Sequence, residues 1–401
     1  MKVVICGAGL AGLTLAQRLD TLGWDVVVLE KAPGPRSQGY MIDFFGVGYD
    51  AAEAMGVLPR IQELGYHVDE VSFLDETGRR RAALPFGQVA KSVGGRLLSI
   101  MRPDLELALR ESLSAAVDLR FATSLTSVEQ GADSVRVTLT DGGTLDADLL
   151  VGADGIHSAV RGLVFGEESN YLRYLGFHTA AFSFDDPAIH ADLRNRFCLT
   201  DTIDRQLGLY GLRGGRVAAY AVHRTPDRTL PVDARAAVLR EYGSLGWIVP
   251  RVLGQCPPTG EVYYDLVAQI EMPTWSHGRV TLIGDACQAV SLLAGQGASL
   301  AIAGAYLLAD QLVTAGSIED ALARYEQLWR PVVLEKQLTG RKGIRWFVPA
   351  SLPQVWIRRL AMRFTRISGI DRLIAGTLAG KSSTIIRQLH QSDGVLRDHQ
   401  R

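Results

Sequence analysis

The first residues able to do chemistry are the glycines of a turn near the start of the chain. An apolar run at residues 3–6 leads into Gly7, Gly9 and Gly12, and an apolar-periodic segment and a second apolar run follow before Glu30. In this context Gly7 permits a tight turn, Gly9 lets the backbone approach a pyrophosphate, and Gly12 lets helix and strand pack closely. The helix N-terminus favours an anion, and Glu30 can accept hydrogen bonds from a ribose. The order of elements predicts a dinucleotide site without distinguishing FAD from NAD.

Two charged residues stand out in the segment that follows. Asp43 lies inside an otherwise apolar run, and an unpaired carboxylate is costly to bury. It is therefore either a site residue or a structural carboxylate with partners, and both interpretations stay open. Arg102 precedes Pro103 at a predicted helix start, where it can contact a phosphate or cap the helix at the surface.

Two later buried strands also run into turns that carry an aspartate. The first ends at Asp154-Gly155, and the second ends at Gly284-Asp285. After the second comes Gly295-Gln296-Gly297-Ala298 and a helix to about residue 313. Because the N-terminus of this helix is glycine-rich, it can face an anionic or electron-rich group.

Composition excludes several classes of protein. The chain has 401 residues, 47% of them hydrophobic, and a formal net charge of -1, so nothing in its overall charge favours nucleic acid as a partner. The four cysteines are scattered without disulfide or metal-ligand spacing, and no metal site is expected. The first predicted strand begins at residue 2 without the charged and apolar pattern of a leader before it, so we expect no signal peptide and a cytoplasmic protein. Residues 286–309 carry no charge, but polar residues and glycines within them favour a buried helix over a membrane span.

The middle and the end of the chain differ in pattern from the beginning. Residues 171–275 contain alternating runs that indicate a sheet with one face covered, with one helix at residues 234–242. Residues 331–401 hold 13 Lys and Arg against 4 Asp and Glu. A predicted helix there, from residue 351 to 369, carries Trp356, Leu360, Phe364 and Ile367 on one stripe. It either packs on the protein with its basic face in water, or acts at a membrane surface or as a gate.

Together these segments resemble the class A flavoprotein monooxygenases, the family of para-hydroxybenzoate hydroxylase. The turn at Gly7 with Glu30 is similar to the FAD adenosine site of that family, Asp154 to its second motif with Ser158, Val160 and Arg161, and Gly284-Asp285 to its third. The resemblance implies an α/β fold: a Rossmann-like FAD-binding domain of the glutathione reductase type with an inserted β-sheet substrate domain and C-terminal helices. The FAD-binding domain would comprise residues 1–75, 95–170 and 276–330, the substrate domain residues 76–94 and 171–275, and the C-terminal helical segment residues 331–401.

The resemblance is strongest to the tetracycline destructases and related polyketide oxygenases. Residues 39–43 are similar to the segment in which their acidic residue approaches FAD, and Arg36 matches an arginine implied in NADPH binding. Their gating helix would correspond to residues 351–368. The cofactor-binding set implied is Gly7, Gly9, Ala11, Gly12, Glu30, Lys31, Arg36, Asp43, Arg102, Asp154, Gly284, Asp285, Gly295, Gln296, Gly297 and Ala298.

The chemistry implied is that of the family. Non-covalent FAD is reduced by NADPH or NADH and reacts with O2, and the C4a-hydroperoxide transfers one oxygen atom to an aromatic or polyketide-like substrate, with tetracyclines among the candidates. No catalytic side chain is identified, because the chemistry is centred on the flavin. We expect a monomer that binds a small aromatic or polycyclic molecule. The candidate substrate contacts are Phe182, Tyr210, Tyr220 and His223, although alternating aromatic residues are more often core.

The sequence also departs from the family. Gln288 stands where many members have His, Leu292 where a Pro lies beside the flavin, and Gly304-Ala305 where Asp-Ala is common. Two other functions stay open. A flavin-dependent halogenase shares the fold, but the second Trp of its motif and a convincing catalytic lysine are absent. A non-enzymatic flavin-binding sensor would fit the basic tail.

Overall fold

The computed structural model describes residues 1–36, 38–291, 295–364, 384–386 and 389. Its strands, in chain order, are β1 Lys2–Cys6, β2 Asp25–Leu29, β3 Met41–Phe45, β4 Glu70–Leu74, β5 Arg80–Pro85, β6 Leu97–Met101, β7 Asp118–Arg120, β8 Leu125–Gln130, β9 Val135–Leu139, β10 Thr144–Ala147, β11 Leu149–Gly152, β12 Leu172–Asp185, β13 Arg196–Thr200, β14 Arg205–Gly211, β15 Arg216–Arg224, β16 Tyr263–Ile270, β17 Ser276–His277 and β18 Val280–Leu282.

The helices connect and cover these strands. In chain order they are α1 Leu10–Thr21, α2 Val47–Ala54, α3 Leu58–Glu63, α4 Phe86–Ser92, α5 Arg102–Glu111, α6 Ala159–Val164, α7 Pro187–Leu193, α8 Ala234–Tyr242, α9 Val249–Gly254, α10 Asp285–Gln288, α11 Gly297–Thr314, α12 Ile318–Phe347 and α13 Leu352–Phe364. Short 3-10 turns lie at Glu168–Asn170, Arg213–Gly215 and Thr259–Glu261.

The first sheet is built around the N-terminal strand. Its six strands lie in the order β17-β18-β11-β1-β2-β7, and all pairs are parallel except β17 with β18. β1, β2 and β11 are almost entirely buried, as expected for parallel strands covered on both faces. The carboxyl ends of β1 and β11 therefore lie side by side, which brings the first glycine turn next to Asp154. This sheet confirms the Rossmann-like α/β fold class that the resemblance implied.

The second large sheet has seven strands in the order β16-β12-β15-β14-β13-β4-β5. One face packs against α8 and α9 through residues such as Phe182, Leu207 and Ala219. The other face carries Tyr210, Tyr220 and Val222 and turns toward β3, β6 and the end of α12. β4 pairs in parallel with β13 in this sheet, so we propose that the substrate domain begins at about residue 70 rather than 76.

The apolar helix near the third motif lies in the protein core. α11 is long and apolar enough to cross a membrane by composition alone, yet most of it is buried against α1, α2 and α12. Leu300, Ile302 and Leu307 are all almost inaccessible to solvent. Burial inside the protein therefore accounts for the lack of charge in this segment.

Two helices follow α11 and close the described part of the chain. α12 begins at Ile318, contributes Trp329 to the core cluster and continues to Phe347. The boundary predicted at residue 330 therefore falls within one continuous helix. α13 packs against β5. Its Trp356 and Leu360 side chains are exposed, whereas Arg358 is buried. The helix therefore docks with an arginine inward, which contradicts the first of the two interpretations, a helix with its basic face in water, and leaves the second as a prediction. The end of the predicted helix, residues 365–369, lies outside the described residues.

Candidate active site

A large cavity lies where the six-stranded sheet, the seven-stranded sheet and α12 meet. Its volume is about 440 Å³. At one end it is lined by Gly9, Arg102 and Asp285, and at the other by apolar side chains of β4, β5 and α4 such as Val71, Leu84 and Phe86. A cavity of this size suits a small-molecule ligand.

A smaller cavity of about 120 Å³ adjoins the large one. It is lined by the first glycine turn and by Glu30, Lys31 and Arg36. Gly9, Arg102, Ala153 and Gly155 line both cavities, so the two share a wall. Together they offer an elongated site that suits an extended dinucleotide better than a compact ligand.

The glycine turn has the steric requirements predicted for it. Gly7 has a φ of +108°, and a Cβ there would overlap the carbonyl oxygen of Ala153. A Cβ at Gly12 would overlap the carbonyl oxygen of Gly7. In contrast, the nearest protein atom to a Cβ at Gly9 is the Arg102 Nη2, at 3.7 Å. Gly7 and Gly12 are thus required by the fold, whereas Gly9 leaves open space facing both cavities.

Glu30 holds the turn from the side of β2. Its carboxylate accepts hydrogen bonds from the backbone N–H of Ala8 at 3.0 Å and of Ala32 at 2.9 Å. Arg36 lies 3.7 Å from the same carboxylate and is half exposed. The acidic residue after β2 therefore organises the backbone of the smaller cavity as well as facing it.

Most of the predicted cofactor residues line one of the two cavities. Those on the large cavity are Gly9, Ala11, Asp43, Arg102, Asp285, Gly295, Gly297 and Ala298. Those on the smaller cavity are Gly7, Gly9, Glu30, Lys31, Arg36, Arg102 and Asp154. The remaining three, Gly12, Gly284 and Gln296, line neither. Gly284 instead lets the third turn approach α1, because a Cβ there would lie 2.8 Å from the Ala11 Cβ.

Arg102 is the central charge of the site. Its Nη2 lies 2.9 Å from Glu106 Oε1, and its backbone N–H donates to the Tyr40 carbonyl at 3.0 Å. Burial raises the pKa of Asp285, and the Arg102 guanidinium opposes this rise. Among the described residues that line the large cavity, Arg102 is the only basic one, against three aspartates, Asp43, Asp265 and Asp285.

The second motif is held together by its own side chains. Asp154 accepts hydrogen bonds from Ser158 Oγ at 2.5 Å and from the N–H groups of Ala159 and Val160, which caps α6. Arg161, fully buried, donates to the Ala286 carbonyl at 2.7 Å. This bond ties the second motif to the loop of the third motif, so Arg161 is a positioning residue for the site.

Asp43 faces the large cavity. Ser99 Oγ donates a hydrogen bond to Asp43 Oδ1 at 2.8 Å, and the Asp43 side chain is exposed at the cavity. The carboxyl group thus has a partner from β6 and also lines the cavity. The two interpretations left open by the sequence, a site residue and a structural carboxylate with a partner, therefore both stay predictions.

The four aromatic candidates for the substrate pocket divide between the two faces of the sheet. Tyr210 and Tyr220 line the large cavity, and the Tyr210 hydroxyl accepts a hydrogen bond from Met41 N–H at 2.5 Å. Phe182 packs among the residues under α8, and His223 Nδ1 pairs with the Tyr242 hydroxyl at 3.0 Å. These two candidates are corrected: side chains alternate along a strand, so His223, three residues after Tyr220, points to the other face.

Several cavity residues escaped the sequence analysis. Tyr40, Tyr263 and Phe347 join Tyr220 in an aromatic wall, with ring centroids 5.8 Å apart for Tyr40 and Tyr263 and 6.4 Å apart for Tyr220 and Phe347. Asp265 lines the same cavity and pairs with His157 Nε2 at 3.1 Å. No short motif marks Tyr263, Asp265 or Phe347, whereas Tyr40 lies within residues 39–43, the segment that contains Asp43.

Two departures from the family pattern are neighbours in space. A Cβ at Gly304 would lie 3.1 Å from Gln288 Nε2 and crowd Trp329 Nε1. Gln288 is buried, and its amide has no hydrogen-bond partner among the described residues. Gly304 thus makes room for the side chains of Gln288 and Trp329, so the departures at Gly304 and Gln288 belong to one packing arrangement. Leu292 lies outside the described residues.

Comparisons with known proteins agree with this geometry. The family described as "FAD binding domain" matches residues 1–203 and 266–335. A flavin-dependent monooxygenase from an unknown prokaryotic organism is 30% identical over 347 residues, which cover 85% of this chain and 88% of that protein. The chain belongs to the FAD-dependent monooxygenases.

Other relatives of this monooxygenase cover nearly its whole length. The 2-heptyl-3-hydroxy-4(1H)-quinolone synthase of Pseudomonas aeruginosa is 28% identical, over 93% of this chain and 96% of that enzyme. The crystal structure of tetracycline destructase Tet(55) matches with a TM-score of 0.79 and 26% identity, over 95% and 98% of the two chains. The predicted recognition, fold class, enzyme class and cofactor are confirmed, and the halogenase alternative finds no support.

The cavities of the monooxygenase fit the cofactor that its family binds. Gly9 leaves room for a pyrophosphate between the two cavities, and Arg102 stands beside that room as a cation. The smaller cavity, with Glu30, can take the adenosine side. The large cavity can then hold the flavin ring and still leave its apolar end for a substrate.

Proposed function

We propose that this enzyme uses FAD, a reduced nicotinamide and O2 to oxygenate a multi-ring aromatic or polyketide-like substrate that carries no carboxylate. The proposal rests mainly on the large cavity, which runs without a break from Arg102 and Asp285 to an apolar end. FAD, when bound and reduced, supplies the electrons that activate O2. The residues of this chain supply position, polarity and exclusion of water.

The charges of the cavity support the exclusion of carboxylates. Arg102, the one basic residue among the described residues that line it, already faces Glu106 at 2.9 Å. The three aspartates that line the cavity would repel an anionic substrate. A neutral or cationic molecule is therefore favoured, and a hydroxyl or amine on it could pair with the carboxyl group of Asp43.

The shape of the cavity supports a multi-ring substrate. Tyr40, Tyr220 and Tyr263 offer ring faces on one side, and Phe197 and Tyr210, with centroids 5.4 Å apart, continue this surface. Flat aromatic molecules stack on such surfaces. The names of two relatives mention molecules of this kind: one is the synthase of a quinolone, and the other is a tetracycline destructase. The same apolar walls would keep water from the reacting atoms.

We also propose that Arg36 contacts the nicotinamide nucleotide. It lies at the edge of the smaller cavity and is half exposed, so an incoming phosphate could reach it from solvent. Replacement by Ala should raise the KM for NADPH more than it changes bound FAD. Unchanged NADPH kinetics in Arg36→Ala would contradict this role.

A cytoplasmic location is consistent with the proposal. Reduced nicotinamide nucleotides are available there. The cysteines Cys6, Cys198, Cys256 and Cys287 are all free and buried, as expected in a reducing compartment.

The function can be tested by a substrate screen. Purified, FAD-loaded enzyme is mixed with NADPH and with pairs of compounds that differ in ring number and charge: quinolones, anthraquinones and tetracyclines against para-hydroxybenzoate and other single-ring acids. The neutral or cationic multi-ring compounds should accelerate NADPH oxidation and gain one oxygen atom by mass. The proposal fails if the single-ring carboxylates are the better substrates, or if none of these compounds gains oxygen.

A further inference from the structure

Helix α13 carries an apolar stripe on its solvent side. Leu352, Trp356, Ile357 and Leu360, the α13 stripe, are 64%, 64%, 58% and 55% exposed. Their spacing places them along one face of the helix. A run of large apolar side chains left open to solvent is typical of an interaction surface.

The outward direction of the stripe is set by buried polar contacts. Arg358 is 2% exposed, and its guanidinium donates to Asp201 Oδ1 at 2.5 Å and to the Phe347 carbonyl at 2.8 Å. Arg359 Nε donates to Asp201 Oδ2 at 2.5 Å. Such charge-assisted bonds are strong and depend on geometry. A rotation of α13 that buried the stripe would break them and leave Asp201 buried without a partner, which is costly.

The stripe lies just outside the apolar end of the large cavity. On its inner side, α13 packs Met362 against a small cluster of Phe73, Ala82 and Leu199. Val71 and Phe197, which flank that cluster, also line the large cavity. One layer of side chains therefore separates the surface beneath α13 from the proposed substrate end.

We propose that the α13 stripe docks the enzyme on the surface of an anionic lipid membrane. α13 contains no acidic residue, and although its Arg358 and Arg359 are paired with Asp201, residues 331–401 as a whole hold 13 Lys and Arg against 4 Asp and Glu. A helix with Trp and Leu on one face and basic residues around it inserts that face among the headgroups, and anionic lipids attract the charge. A second copy of the chain would instead bring two like-charged segments together, which disfavours self-association through this face.

Docking here would serve an apolar substrate. Multi-ring apolar molecules partition into membranes, and the surface that faces the membrane would be the one nearest the apolar end of the cavity. This consequence rests on the proposed substrate class, whereas the docking itself does not. The experiment below therefore measures binding without any substrate.

The test uses the full-length, FAD-loaded enzyme and sedimentation with vesicles of phosphatidylcholine, with and without phosphatidylglycerol. Wild type should bind the anionic vesicles and dissociate at high salt. The double variant Trp356→Gln, Leu360→Gln should bind at least about tenfold more weakly while it keeps its FAD and thermal stability, because both side chains are exposed. Leu328→Gln, which replaces an exposed leucine of α12 outside the stripe, should bind as wild type does.

A second measurement covers the case in which the double variant does not fold. The fluorescence difference between wild type and Trp356→Phe reports on Trp356 alone, and anionic vesicles should shield it from acrylamide. Shielding of Trp356 before vesicles are added would assign the stripe to another part of this chain and overturn the proposal. Three other results would also overturn the proposal. The first is a concentration-dependent dimer that forms in wild type and is lost in the double variant. The others are absence of vesicle binding by wild type, and equal binding by wild type and the double variant.

Discussion

The two ends of the linked cavities are built in different ways. At the cofactor end, backbone turns and a few charged side chains form the wall, and each turn follows a buried strand of one parallel sheet. At the substrate end, the wall consists of side chains from β3, β4, β5, β14, β15, β16, α4 and α12, and these elements are far apart in the chain. The structure of the cofactor end is thus determined by short stretches of local sequence. The structure of the substrate end depends on how strands that are distant in the chain pair with each other.

This difference predicts how each end responds to change. A backbone wall has no side chain to give way, so a single methyl group should disrupt it. A side-chain wall can be altered one residue at a time, with effects on substrate but not on the cofactor. The four predictions below test this contrast in order of expected effect.

The largest effect should come from Gly12→Ala. The added Cβ overlaps the Gly7 carbonyl oxygen, and backbone cannot yield there without moving β1 or α1. We expect the free energy of unfolding to fall by about 3 kcal/mol or more, together with loss of FAD. Chemical denaturation and flavin absorbance measure this. Gly254→Ala is the control, because no atom lies within 4 Å of its Cβ. Wild-type stability in Gly12→Ala would remove the steric argument.

The next effect should come from Arg102→Ala. This change removes the cation from the wall that the two cavities share, and Glu106 and Asp285 each lose their strongest opposite charge. The FAD dissociation constant should rise by roughly 10- to 100-fold, as for loss of a charged hydrogen-bond partner. Titration of the apoprotein with FAD measures it. Arg136→Ala, which breaks a surface pair with Asp146, should not change the constant. Equal affinities in Arg102→Ala and wild type would refute this placement of the cofactor.

A third prediction separates the two faces of the seven-stranded sheet. Tyr220→Leu removes a ring from the cavity wall, so the substrate KM should rise by about tenfold with FAD retained. His223→Asn, three residues away on the other face, should lower the free energy of unfolding by about 1–3 kcal/mol because it disturbs the buried bond to Tyr242, and leave KM unchanged. Steady-state kinetics measure the KM of both variants, and thermal melts measure their stability. The reverse pattern would invalidate the assignment of faces.

The smallest effect concerns the pH dependence of stability. Hydrogen bonds to Asp265 and Glu168 raise the pKa of His157 from its ordinary value of 6.5 to about 9. A raised pKa means that the protonated form stabilises the fold, so this contribution is complete below pH 6.5 and is lost as the pH rises through about 9. The melting temperature of His157→Gln should be lower than that of wild type at about pH 6 and equal to it at about pH 10. A pH-independent difference would exclude the ionic role.

Prediction from sequence succeeded where local pattern decides the structure. The first turn, the strands around it and helix α8 were all predicted within a few residues, because each is defined by its own periodicity and end residues. Tyr263 and Asp265 were missed because only the pairing of distant strands brings them to the cavity. Phe182 and His223 were misplaced although alternation along a strand already separates His223 from Tyr220. For α13, periodicity identified the apolar stripe but not its direction, which the distant partner Asp201 determines.

Strand β18 sets a condition on the folding of the nascent chain. It pairs with β11 in the first sheet, yet it lies about 130 residues later, after the whole seven-stranded sheet. At about 5–20 residues per second, a ribosome needs roughly 6–26 seconds to synthesise that interval. During this time β11 has an open edge and the third turn of the cofactor site does not yet exist. The enzyme can therefore acquire its flavin only late in synthesis, and its exposed edge makes early chaperone contact advantageous.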